Sequence, residues 1–578
     1  MRAGARLETV AHDLYGSADD GSGIDVETAI AAAETPRSAW AVFGNAPFRR
    51  VWLSTLLGLT GIAMSDAASA WLMTSLNADP RAVSLVQVAA FLPMFIFTLP
   101  AGALVDIVEP RRFLVALETF ITLMILVFAT MVSMDLVTPA ALLGLTFLLS
   151  AAWSVAAPAW AALTPKLVER RDLDSASAAN GVGFNLSRAL GPALGGRLIM
   201  ALGVAAPFWG FALANAASVA VLIGCGASER RTRDLPAERL FSAMRAGVRH
   251  AAFNPHLRAT LVRTLAVFPF GAAFVALLPL VARTQMTAGP QIYGLLVATI
   301  SVGAALGSLG RPYLRQRLGP DWFVAVGTFA IALGMILFAL CRALPFAFAG
   351  ALIAGAGWTS VLTSLSVSAQ IALPDWVRGR GLAIYLTVVF GSMAVGSFAW
   401  GYVASRLGLP ATFLLASAGA IACVPLSWGW RLQTAEGMDL SPSLHYQTPV
   451  LAHAVEDDSG PVLITLRYEL AGDDHDPFLD AIDEVGRQRR RDGAYAWGVF
   501  ADVAQRGVYL ETFLIGSWLE ARQFKERVTN ADRANEEKLR TLLVEPPRLT
   551  LMLASDAPGD RAETRQDFSV FEPAQTPV

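Results

Sequence analysis

Apolar residues in this chain fall into long blocks separated by short polar breaks, and the breaks recur about every 20 to 30 residues from position 49 to position 429. A helix that crosses a bilayer needs about 20 mostly apolar residues. On that measure the chain predicts twelve spans, near 49–75, 82–105, 113–134, 137–161, 176–201, 205–226, 259–283, 291–311, 322–341, 345–371, 381–404 and 409–429. After Arg431 the pattern changes. Residues 432–459 are polar and carry Gly437, Pro442 and Pro449. A period of two then marks strands over Val462 to Leu470, Ala494 to Val503, Gly507 to Ile515 and Arg548 to Ala554. Helices are predicted over Pro477 to Arg491 and Trp518 to Leu543. The order βαββαβ is that of a ferredoxin-like fold. The expected fold class is an all-α polytopic membrane protein of twelve transmembrane helices in two six-helix halves, with a small α+β ferredoxin-like C-terminal domain.

The expected divisions are a disordered N-terminal tail at 1–40, six-helix halves at 41–226 and 259–431, and a linker with an amphipathic helix at 227–258. A second linker at 432–459, the C-terminal domain at 460–556 and a disordered tail at 557–578 complete the chain. Charge supports the count. Loops after even-numbered spans carry Arg111 and Arg112; Lys166, Arg170 and Arg171; a long arginine run from Arg230 to Arg258; Arg315 and Arg317; and Arg378 and Arg380. Loops after odd-numbered spans carry Arg81, Arg283, Arg342 and Arg406. The excess of basic residues predicts that the even loops and both termini are cytoplasmic. In the longest loop Leu240, Met244, Val248 and Phe253 recur at helical spacing among arginines, the mark of a helix on the inner leaflet or of a plain linker.

Composition agrees with a membrane chain. Apolar residues make up 54% and charged residues 16%, against roughly 25% charge in soluble domains. Mean hydropathy is +0.49. A net charge of -2 gives no field for nucleic acid. Cys225, Cys341 and Cys423 have no metal spacing and read as small apolar residues, so neither metal nor cofactor is expected. The acidic first 40 residues lack the basic start and apolar core of a cleaved signal. The three lysines, Lys166, Lys525 and Lys538, do not follow glycine, so there is no phosphate loop for ATP.

Ionisable groups inside spans mark function unless they are paired. Asp66 lies roughly 25 Å along span 1 at 1.5 Å per residue, as a proton-coupling candidate or a wetted residue near the outer interface. Glu118 in span 3 is a second proton candidate, or a partner of Arg112 or another basic helix end. Arg188 in span 5, one turn after Asn185, cannot lose its charge. It suits a carboxylate or catecholate on a substrate, or a lock with Asp66 or Glu118. Arg197 and Arg263 are expected to snorkel. Trp153 and Ser154 in span 4, and Trp358, Thr359 and Thr363 in span 10, hold comparable places in the two halves. They suit an amphipathic cargo or plain helix packing.

Gly102, Leu104, Asp106, Arg111 and Arg112 after span 2 match the loop signature of the major facilitator superfamily, with Ile107 and Glu109-Pro110 departing from it. Gly307 to Arg317 after span 8 is a degenerate echo, as two repeats around a midplane cavity would give. Gly191, Pro192, Gly195 and Gly196 resemble an antiporter motif, with Ser187 where a further glycine is usual. Pro158 to Pro165, Asn180 to Arg188 and Leu373 to Gly381 are similar to the transmembrane secretion effector branch, which includes the enterobactin exporter. The resemblance covers about residues 38–430. It implies export driven by a proton gradient, Gly102, Asp106, Arg111 and Arg112 as a gating loop, and the span 5 glycines with Pro192 as a kinked seal against proton leak. The tail resembles dimeric α+β barrel domains related to antibiotic-biosynthesis monooxygenases. It offers no nucleophile–base pair, and His475 lies in a loop, so self-association, regulation or cargo contact is expected ahead of catalysis.

The expected function is secondary active, proton-coupled export of a small amphipathic molecule, siderophore or drug-like, by alternating access in a bacterial cytoplasmic membrane. The partners are the lipid bilayer, a small-molecule cargo and protons. The alternatives are an importer of a small metabolite, or a membrane anchor or sensor for the C-terminal domain.

Overall fold

The computed structural model describes residues 41–105, 109–169, 172–224, 240–432, 439–443, 455–472 and 475–554. The expected tails, Asp106 and Ile107 lie outside them. Six helices form the first half: α1 (Ala46–Leu76), α2 (Pro80–Val105), α3 (Pro110–Ser133), α4 (Pro139–Leu167), α5 (Leu173–Leu202) and α6 (Ala206–Gly224). The linker helix α7 (Leu240–Phe253) leads into α8 (Pro255–Leu280). Then α9 (Pro290–Leu340) holds spans 8 and 9, α10 (Leu344–Ile371) is span 10, and α11 (Arg378–Leu426) holds spans 11 and 12. The chain reverses within α9 at Gly319 and within α11 at Gly408, with φ of 70° and 79°. That left-handed backbone costs a glycine least.

Starts of spans follow local chemistry. Asn45, Thr138 and Asn254 accept hydrogen bonds from the backbone of the first turns of α1, α4 and α8, and proline occupies the first turn of each. Eleven of the described helical segments are long and apolar enough to cross a membrane. The twelfth, α5, has 30 residues but carries Asn180, Asn185, Arg188 and Arg197. The twelve-helix, two-half reading therefore holds, with α5 the polar member. The expected linker at 227–258 ends earlier, because Asn254 caps α8 and residues 255–258 belong to span 7.

The two halves meet along span 2 with span 11 and span 5 with span 8. Phe91 stacks on Phe390 at 6.2 Å, and a Cβ on Gly401 would stand 2.6 Å from the Ser84 Cβ. A Cβ on Gly196 would lie 2.5 Å from the Pro290 carbonyl. These contacts, and the Arg81 Nε–Ser405 Oγ hydrogen bond at 2.7 Å, gather toward the end that carries the loops after odd-numbered spans.

The C-terminal domain contains β1 (Val462–Glu469), α12 (Asp476–Asp492), β2 (Ala496–Ala501), β3 (Val508–Ile515), α13 (Trp518–Arg527), α14 (Asn530–Arg540) and β4 (Arg548–Leu553). The sheet is antiparallel in the order β2-β3-β1-β4, the arrangement expected of βαββαβ. The expected single helix over 518–543 is two. Val528 is extended, and Thr529 and Asp532 form a capping box that starts α14 afresh. The expected polar linker is partly built into the domain: Ser443 donates to the Val528 carbonyl at 2.9 Å, and Asn530 bonds Asp439 at 2.8 Å.

Candidate functional site

Span 5 lies against span 1 because it has no side chain at the crossing. A Cβ on Gly191 would stand 2.6 Å from the Ala63 Cβ and 2.9 Å from the Thr60 carbonyl, and one on Gly195 3.0 Å from Met64. Ser187 fits in place of the missing glycine by turning its hydroxyl onto the chain, donating to the Leu56 carbonyl and accepting from Thr60, both at 3.1 Å. Gly196 and Pro192 face the other half and meet Pro290 and Gly294 of span 8. The motif is thus a two-sided close-packing surface, and Pro192 lies buried within a continuous helix.

This crossing brings together two residues that the sequence singled out separately. Asp66 and Arg188 interact electrostatically, and both side chains are exposed. Tyr293 of span 8 also feels Asp66, which places the carboxylate between the two halves. Ser301 of span 8 donates to the Arg188 carbonyl at 2.9 Å. Toward the end that carries the loops after odd-numbered spans, the two halves close on one another. Trp71 stacks on Tyr293 across the halves at 5.9 Å, and the Arg283 guanidinium sits 5.6 Å from the Trp71 ring. Arg283 also donates to Thr74 at 2.9 Å and Ser75 at 2.6 Å. Tyr293 and Arg283 were missed from sequence; only their pairing across the halves reveals them.

Glu118 sits elsewhere. It is 4% exposed and accepts from Trp160 Nε1 at 2.9 Å, while Asn215 bonds its carbonyl and Thr122 at 2.9 and 3.0 Å. Arg112 pairs with Glu109 at 3.2 Å, so the expected partnership of Glu118 with Arg112 is not what forms. Arg188 takes Asp66 and not Glu118 as its charge partner.

The remaining candidates are more local. Asn185 donates to the Gly181 carbonyl of its own helix at 2.9 Å. Ser154 is buried and bonds the Ala151 carbonyl. Trp153 and Thr359 are half-buried, and Thr363 bonds the Thr359 carbonyl. Trp358 packs edge-on against Phe268 at 5.2 Å and over Gly271 of span 7, within one half. Arg111 of the loop after span 2 caps span 6, donating to the Leu222 and Ile223 carbonyls at 2.9 and 2.7 Å. Asp106 lies outside the described residues, and Gly102 lies near the end of α2. Arg263 does not snorkel. It is 1% exposed, bonds Asp321 at 3.0 Å and the Trp430 carbonyl at 3.1 Å, and so ties spans 7, 9 and 12 together. Arg197 is exposed.

The C-terminal domain has a polar centre that the sequence did not reveal. Glu511 on β3 is fully buried. It accepts from Tyr468 at 2.6 Å, Trp497 Nε1 at 2.9 Å and Arg489 Nε at 3.4 Å. His475 Nδ1 lies 2.7 Å from the Tyr509 hydroxyl. The opposite face of the sheet carries Phe500, Leu510 and Met552, all exposed, beside Leu463 and Leu514.

Comparison with known proteins gives a family. A family model described as a transmembrane secretion effector matches residues 37–558, through the membrane helices and the C-terminal domain. The multidrug efflux pump Tap of Mycolicibacterium fortuitum is 25% identical over 381 residues, 64% of this chain and 92% of that protein. The enterobactin exporter EntS of Salmonella typhi is 31% identical over 231 residues, 39% of this chain and 54% of that protein. Among solved structures, a POT family transporter shares the fold with a TM-score of 0.55 at 10% identity, over 66% of this chain and 95% of that one. The nucleoside transporter NupG does so with a TM-score of 0.51 at 12% identity, over 67% and 99%.

Proposed function

The chain belongs to the transmembrane secretion effector family, and from that premise we propose that it is a proton-driven exporter of a small amphipathic molecule, with Asp66 as the group that carries the proton. Secondary transport on this fold moves cargo by exposing one central passage to each face in turn. The observation that carries the reading is the placement of Asp66. It is the exposed carboxylate beneath the Trp71–Tyr293 closure, interacts with Arg188, and lies on the helix that packs against the span 5 glycines. The Asp66 carboxylate can take a proton or accept a hydrogen bond from a donor group of the cargo, and Arg188 stands beside it in the ionised state. Either occupant excludes the other, so a proton arriving from one side displaces cargo, as exchange of protons for cargo requires.

The excess of arginine in even loops supports a bacterial cytoplasmic membrane with both termini inside. In that orientation the passage is closed outward and the C-terminal domain is cytoplasmic. The two named relatives are an efflux pump and an exporter, which favours export over import for this chain. Self-association through the C-terminal domain is part of the same proposal, supported by the exposed apolar sheet face of Phe500, Leu510 and Met552.

The test is transport in proteoliposomes with an imposed pH gradient, using a drug-like dye and a catecholate siderophore as cargo. Asp66→Asn is expected to retain binding while flux stops responding to the gradient, a loss of at least tenfold in driven transport. Gradient-driven flux at the native rate in that variant would overturn the assignment of the proton to Asp66. Absence of driven flux for both cargoes in the native protein would overturn the exporter reading for these cargo classes.

A further inference from the structure

The C-terminal domain is docked on the membrane body, and the dock is made of unusual parts. α12 packs on the linker helix α7, which packs on the start of span 11 and touches span 2. At Gly247 of α7 the approach to Arg380 is close enough that a Cβ would lie 3.1 Å from the Arg380 Cβ. His250, one turn further on, is 1% exposed. Its ring meets Trp376 of the loop after span 10 edge-on at 5.5 Å, and its Nε2 lies 3.2 Å from Asn254 Nδ2, which also donates to the Ala372 carbonyl at 2.8 Å. The Arg527 guanidinium of α13 covers the same Trp376 at 4.8 Å and donates to the Asp492 carbonyl at 2.9 Å. One indole therefore carries a histidine of the linker helix and an arginine of the C-terminal domain.

The charges around His250 are mostly of one sign. Arg491 of α12 and Arg527 of α13 act on it from the domain. Arg249 is its neighbour on α7, and Arg380 stands at the start of span 11. His256 at the start of span 7 feels the same Arg491. Arg491 itself is engaged within the domain, bonding Asp492 at 2.7 Å and Asp532 at 2.6 Å. A second proton-binding group, Asp492, is pushed up to about 6, chiefly by burial. The contact is also incompletely satisfied. Trp376 Nε1 and Gln488 Oε1 are buried without a hydrogen-bond partner among the described residues. Each such atom weakens the closed arrangement relative to an opened, hydrated one.

We propose that this dock is a releasable latch: neutral His250 holds the C-terminal domain against the membrane body, and protonation of His250 releases it. A cation placed at His250 would be buried and would face Arg491 and Arg527, and no carboxylate among the described residues pairs with it. Burial, then Arg491, then Arg527 push the imidazole down to about 3, with a contact to the Arg491 backbone offsetting part of this. An undocked His250 titrates near 6.5. Docking is therefore at full strength above about pH 6.5 and weakens steadily as pH falls from there toward 3. Between pH 7.5 and 5.5 the linkage amounts to about a tenfold loss in the docking equilibrium. The latch thus responds to acidification on the side we assign to the cytoplasm, the side that a proton-driven exporter loads with protons.

The test reads docking and not transport, so its failure and that of the exporter reading are separate. Amide hydrogen exchange is followed on the full chain in nanodiscs at pH 7.5 and 5.5. Peptides of the β3 core correct for the chemical dependence of exchange on pH. In the native protein, opening of residues 247–253 and 488–492 is expected to rise about tenfold at pH 5.5. In His250→Gln, which is neutral at both values, the rise disappears, and this separates His250 from Asp492. Unchanged protection in the native protein, or the same rise in His250→Gln, would overturn the proposal. Should the glutamine variant fail to dock at pH 7.5, Asp492→Asn decides the matter. It leaves His250 in place and is expected to keep the tenfold rise, and loss of the rise would move the acid response to Asp492 and overturn the latch.

Discussion

Glu118 and Asp66 show how little a carboxylate's depth in a helix says about its use. Both stood out in the sequence as ionisable groups inside apolar spans. Asp66 is exposed and interacts with a permanent cation, Arg188, whereas Glu118 is enclosed by Trp160, Asn215 and Thr122 within the first half. The sequence could not separate them, because the difference lies in which helix each one faces, and that is set by packing. The Trp160 bond needs an oxygen at position 118 and not a charge. Glu118→Gln is therefore expected to keep the thermal midpoint and the pH-gradient response of the native protein. Glu118→Leu leaves the indole N–H unpaired at a cost of about 1–3 kcal/mol and lowers the midpoint. Thermal unfolding of the two variants in detergent checks the first statement, and proteoliposome flux checks the second. Loss of gradient response in Glu118→Gln would move Glu118 back among the proton carriers.

At the scale of elements, the periodic features were legible and the interrupted ones were not. Twelve spans, four strands and their order follow from hydrophobic period, because burial in lipid or under a helix fixes which positions are apolar. α5 was placed despite its Asn and Arg residues as one of the twelve mostly apolar blocks; the close approaches to Ala63, Met64 and Pro290 account for each of Gly191, Gly195 and Gly196. The break at Val528 was not legible, because the helical pattern continues through it and the capping box acts over one turn only. Alternation within the strands does foretell the free sheet face. Register puts Ala496, Leu514, Leu463 and Met552 in one row, and Phe500 and Leu510 in another with Arg467 and Arg548. In the self-association we propose, a second copy of this face would cover the apolar row together with Phe500 and Leu510. Phe500→Asp is expected to turn a dimer in mild detergent into a monomer without changing flux per chain, as read by native mass spectrometry. A dimer that survives the substitution excludes this face as its interface.

At the scale of the molecule, the two halves are joined by aromatic, arginine and glycine contacts at the end that carries the loops after odd-numbered spans, the outer end in the orientation we propose. Span 2 and span 11 approach at Ser84 and Gly401 as closely as backbones with small side chains allow. Alternating access requires them to part once per cycle. A disulfide between Ser84→Cys and Gly401→Cys would hold them together. The required Cβ separation of about 3.8 Å exceeds the present 2.6 Å by about 1 Å, which a slight parting of the helices supplies. The background for this experiment replaces Cys225, Cys341 and Cys423 with alanine, so that no other thiol competes. Oxidation is expected to stop transport in proteoliposomes, and a reductant to restore it, with no loss of protein from the folded pool. Cargo binding from the opposite side is expected to survive, because the lock joins span 2 to span 11 and leaves Asp66 and Arg188 untouched. Full transport by the oxidised pair would mean that this end does not open during the cycle. The closed contacts described here would then be permanent scaffold, and the gate would have to be sought at the opposite face.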